Sequence, residues 1–102
     1  MQMDSDFKIG YELLQKFKEQ IETLANAKDE MELLETIEAI KEPIRNATYR
    51  IKVGNGPLKE ELFSALSVVV KEIREFENPQ ELKENARKVL ELLNNLETQV
   101  SA

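Results

Sequence analysis

The chain has 102 residues, 41% of them hydrophobic and 33% charged, with 14 basic against 20 acidic side chains and no cysteine, histidine or tryptophan. This length suits one domain with a single core, and the missing cysteines exclude a disulfide framework and a thiolate nucleophile. The missing histidines remove the usual general base, the commonest zinc ligand and the Glu-x-x-His pair of a ferritin-like di-iron bundle, and a net charge of −6 disfavours nucleic acid as a partner.

Asp4, Ser5 and Asp6 offer N-cap oxygens ahead of apolar residues at Phe7, Leu14, Phe17, Ile21 and Leu24, which predicts a first helix over residues 6 to 27. Gly10 occupies a seam position in it, where a missing side chain permits close backbone approach. Acidic residues stand where a secretion signal needs positive charge, and no apolar run exceeds three residues, so a soluble, cytoplasmic protein is expected.

Asp29 with Glu32 resembles a capping box, so a second helix begins near Met31. Its seam is Leu33, Ile37, Ile40, Ile44, Ala47 and Ile51, and it stays in phase across Pro43. That phase predicts one helix kinked at Pro43; a break into two pieces is the alternative. Residues 48 to 53 also alternate as a strand does, but no second strand is available to pair with them.

Gly54-Asn55-Gly56-Pro57 is the strongest breaker, with glycine and asparagine permitting positive φ and proline suited to open a third helix over residues 57 to 77. Leu62, Ala65, Leu66, Val69, Ile73 and Phe76 form its stripe, widened by Phe63 and Val70. Asn78, Pro79 and Glu81 then cap and start a last helix over residues 79 to 100, with seam Leu82, Ala86, Val89, Leu93, Leu96 and Val100. Four helices with short connections make the expected fold all-α, an antiparallel up-down-up-down four-helix bundle.

Three constellations bear on function. The 17 glutamates lie mainly outside the seams among lysines, as solvated helix faces do; a carboxylate-only magnesium site is the alternative. Between Ile44 and Lys59 the chain carries Arg45, Arg50, Lys52 and Lys59 without an acid, so that segment is +4 and the remainder −10. These cations either complement the carbonyl end of the second helix or, with Tyr49, form a basic tip for an acidic partner surface or anionic lipid headgroups. Phe63 and Val70 are either buried inside a monomer or form a patch for a partner or a weak homodimer. There is no Gly-rich phosphate cradle, nucleophile elbow or metal-ligand spacing, so no cofactor and no small-molecule substrate is expected.

The segments Leu33-Leu34-Glu35-Thr36-Ile37, Gly56-Pro57-Leu58 with Leu62 and Leu66, Glu81-Leu82 and Leu92-Leu93-Asn94-Asn95-Leu96 together resemble the immunity proteins of pediocin-like (class IIa) bacteriocins, particularly the enterocin A immunity group. The resemblance covers residues 10 to 97, and the third helix is poorer in aromatics than that family's pattern. It implies a cytosolic four-helix bundle that protects the cell from the inner membrane face by engaging the bacteriocin-occupied permease of the mannose phosphotransferase type. It further implies that specificity lies mainly in the C-terminal half. The expected partner is then that membrane receptor complex, with peripheral membrane contact, and Arg45, Tyr49, Arg50, Lys52, Phe63 and Val70 are the candidate contact residues. A generic helical adaptor or regulatory module, monomeric or dimeric, is the alternative.

Overall fold

A computed structural model describes residues 2–101, with side chain environments from 2 to 99. It contains five helices and, among the described residues, no strand: α1 (Ser5–Lys16), α2 (Lys18–Asn26), α3 (Glu30–Val53), α4 (Lys59–Glu75) and α5 (Pro79–Ser101). They pack into a helical bundle of 39 × 23 × 19 Å. Its long axis matches α3, since 24 residues rising about 1.5 Å each span roughly 36 Å. Among the described residues no helix is long and apolar enough to cross a membrane.

The seams fill the core. Phe7, Leu14, Ile21 and Leu24 are buried, as are all six expected positions of α3, from Leu33 to Ile51. Leu62, Ala65, Leu66 and Val69 follow from α4, and Leu82, Ala86, Val89, Leu93 and Leu96 from α5. The last expected position, the side chain of Val100, lies outside those described. Pro43 sits inside an unbroken helix, so α3 is one element rather than two. The hydrogen bond that proline removes from its interior is offset by complete burial of Ile40 and near-complete burial of Ile44 on either side.

The single first helix expected over residues 6 to 27 is two helices, meeting at Phe17 (φ −103°, ψ 20°). Hydrogen bonds from the Phe17 N–H to the Leu13 carbonyl and from the Ile21 N–H to the Phe17 carbonyl, both 3.1 Å, carry the chain through the change of direction. With neither glycine nor proline there, packing sets the break. α1 lies chiefly on α3 and α2 chiefly on α5. Gly10 makes the first contact close: a Cβ there would stand 2.9 Å from the Ile51 Cδ1 and 3.0 Å from the Ala47 carbonyl oxygen. In the second, Arg87 donates to the Ala25 carbonyl (3.1 Å), placing positive charge at the carbonyl end of α2, and Lys18 at the helix start donates to the Asn94 Oδ1 (3.1 Å).

The turn before α4 departs from expectation in two ways. Among the described residues no glycine has positive φ; the left-handed ones are Leu58 (φ 62°) and Phe76 (φ 49°), which cap the two ends of α4. Pro57 precedes the helix instead of opening it, because the turn extends through Leu58. Gly54 and Gly56 are needed for space. A Cβ on Gly54 would meet the backbone nitrogen of Phe7, and one on Gly56 would lie within 2.7 Å of three Phe7 ring atoms.

Asp4 fastens this loop to the N-terminus. Its Oδ1 accepts from the Phe7 N–H (3.0 Å), its Oδ2 from the Asn55 N–H (2.9 Å), and its own N–H donates to the Asn55 carbonyl (2.9 Å). The Phe7 amide first and the Asn55 amide second hold the Asp4 carboxyl below its ordinary 3.8, against a smaller opposing effect of desolvation. Its contribution to stability is therefore present above that ordinary value and lost as pH falls through the depressed folded value. Asp4→Asn is expected to lower stability at neutral pH. Urea midpoints between about pH 5 and pH 2 should fall less steeply in the variant than in the parent; parallel curves would contradict this.

Candidate functional site

Arg45, Thr48, Tyr49 and Lys52 recur at spacings of three and four, so they share one side of α3. That side faces the widened stripe of α4, and with Phe63, Ser67, Val70, Lys71 and Arg74 it lines a groove of about 300 Å³. Four of the lining side chains, Arg45, Lys52, Lys71 and Arg74, are cationic and none is acidic. A second recess of about 410 Å³ continues along the same two helices and shares Arg45, Val70 and Arg74 with the first. There Ile37, Lys41 and Ile73 join the lining, with Glu38 held 3.1 Å from the Lys41 ammonium.

The floor is apolar. Phe63, Val70 and Ile73 are half-buried, packed below against the core and open above to the groove. The two floor hydroxyls are turned into their own helices: the Thr48 Oγ1 donates to the Ile44 carbonyl (2.7 Å) and the Ser67 Oγ to the Phe63 carbonyl (2.8 Å). Tyr49 stands at the rim, 61% exposed. Arg45 lies 3.7 Å from Glu42 and Arg74 3.0 Å from Glu75, exposed pairs of the kind worth about 0 to 1 kcal/mol. Among the described residues Lys52 and Lys71 have no carboxylate within 4.0 Å. The arrangement attracts anions at its edges and apolar groups at its base.

Five of the six contact residues expected from the sequence thus come together: Arg45, Tyr49, Lys52, Phe63 and Val70. Arg50 does not join them. One residue beyond Tyr49, it is rotated about 100° around the helix, and its Nη1 reaches the Asp6 Oδ1 on α1 at 2.6 Å. Lys59 also turns from the groove, its charge acting on Asp4. The +4 segment is therefore divided between two places and is not one tip. Lys71 and Arg74, outside the +4 segment, supply the α4 side.

Among the described residues no three acidic side chains converge as a metal site requires. One glutamate departs from the solvated pattern: Glu72 is buried, and its Oε1 accepts from the Glu77 N–H (3.1 Å) and the Asn78 N–H (2.7 Å) beyond the end of α4. Comparison with protein-family models, curated proteins and solved structures finds no match to this chain.

Proposed function

We propose that this protein is a non-enzymatic immunity protein of the pediocin-like bacteriocin type, acting from the cytoplasmic side by docking on a membrane receptor complex. In this reading α1 and α2 together serve as the bent first member of an antiparallel up-down-up-down four-helix bundle, α3 is kinked at Pro43, and the protein works as a monomer or a weak homodimer. The resemblance of residues 10 to 97 supplies the family. The observation that carries the docking role is the α3/α4 groove, whose lining unites an apolar floor with four cations and no acid in a chain of net charge −6. Its α4 wall lies in the C-terminal half, where the family resemblance places specificity.

The test is protection. Expressed in a strain sensitive to pediocin-like peptides, the protein is expected to raise the concentration of at least one such peptide needed to stop growth. Loss of that protection should accompany Arg45→Glu combined with Lys71→Glu. No protection against any of a panel of such peptides would remove the immunity reading and favour the helical adaptor, which would use the same groove on a soluble partner.

A further inference from the structure

The groove has a length, a floor and a charge pattern, and together these describe what fits it. On α3 its lining runs from Ile37 to Lys52, roughly 22 Å at the helical rise, and on α4 from Phe63 to Arg74, roughly 16 Å. Such a trough accepts a helix of about 11 to 15 residues laid along it. Arg45 and Lys52 border it on one side and Lys71 and Arg74 on the other, and at the Ile37 end its one acid, Glu38, is paired with Lys41 at 3.1 Å.

From this geometry we infer that the groove takes an acidic amphipathic helix of a protein partner: apolar residues every third or fourth position against Phe63, Val70 and Ile73, with aspartate or glutamate on both flanks of that stripe. The inference deepens the docking role proposed above, and rests on it only in treating this groove as the working face. Charge complementarity selects the occupant. A second copy seated on the same groove about a two-fold axis would set like charges against each other, with Lys52 and Lys71 uncompensated. A flat bilayer surface would meet the basic edges but not the recessed floor, which stays half-buried between the two helices. A phosphate backbone would satisfy the cations and leave the apolar floor uncovered, with the hydroxyls of Thr48 and Ser67 already donating inward.

The test uses the full chain and a fluorescein-labelled peptide of about 15 residues, with leucine at every third or fourth position and glutamate on the flanks. Its twin carries lysine for glutamate. Fluorescence anisotropy is expected to show micromolar binding of the glutamate peptide, weakened at least about tenfold by Arg45→Glu combined with Lys71→Glu and reduced by added salt. Both substituted residues are exposed, so the far-UV circular dichroism of the variant should match the parent. Equal binding of the lysine twin, or affinity unchanged by the charge reversals, overturns the inference. So does binding to phosphatidylglycerol vesicles without binding to the peptide. Failure here alongside intact, charge-independent protection in cells removes the acidic helix and leaves immunity standing; peptide binding without protection does the reverse.

Discussion

Phe7→Ala is expected to destabilise the fold by about 3 to 5 kcal/mol, lowering the melting temperature by roughly 12 °C or more. Phe7 is fully buried near the start of α1, and its ring fills a socket whose wall is Gly56 and whose backbone edge meets Gly54. Truncation removes the ring and leaves a cavity that Asp4, tied to the Asn55 amide and carbonyl, keeps from collapsing. The two glycines separate under a second substitution. Gly56→Ala is expected to cost about 1 to 3 kcal/mol by overpacking the ring, and Phe7→Leu should recover part of that loss in the double variant. Gly54→Ala should not be rescued by Phe7→Leu, because its Cβ meets the Phe7 backbone nitrogen, which no side-chain change removes. Denaturant midpoints for the singles and doubles measure both couplings, and equal rescue at the two positions would contradict the socket.

Glu72→Ala is expected to cost about 2 to 3 kcal/mol, whereas Glu72→Gln should retain most of the stability. The glutamate is only 5% exposed, and its Oε1 accepts two consecutive backbone N–H groups in the connection between α4 and α5. Those amides have left α4 and precede the first turn of α5, so without the side chain they lose their acceptor. Glutamine keeps an amide oxygen at the same reach and alanine keeps nothing. Urea unfolding of the two variants distinguishes an acceptor role from one that depends on net charge, since equal losses would point to charge.

The sequence made the core legible because the apolar residues recur at helical spacing without interruption. The α3 seam crosses Pro43 in phase, and that phase was a better guide than the proline's usual role as a breaker. The break at Phe17 carried no such signal, because it depends on α1 and α2 meeting different neighbours, a tertiary property. The glycine turn was visible, but its reason was not: both glycines serve a passing aromatic ring and backbone, and the left-handed backbone falls on Leu58 and Phe76.

The groove was half legible. Arg45, Tyr49 and Lys52 are four and three apart, a spacing that separates them from Arg50 without any coordinates. Lys71 and Arg74 needed knowledge of which helix α4 lies against, since on their own they read as ordinary solvated cations. Glu72 was obscured by its type, because a glutamate within a charged helix carries no mark of burial until the following turn folds back over it.

The left-handed residues Leu58 and Phe76 bracket α4, and both side chains are packed against the core. A helix held in this way at both ends has little freedom to roll about its own axis, so the positions of Phe63, Val70 and Arg74 relative to α3 are set before anything arrives. Much of the ordering entropy that association usually consumes has then been met during folding, and a visiting segment has only its own disorder to give up.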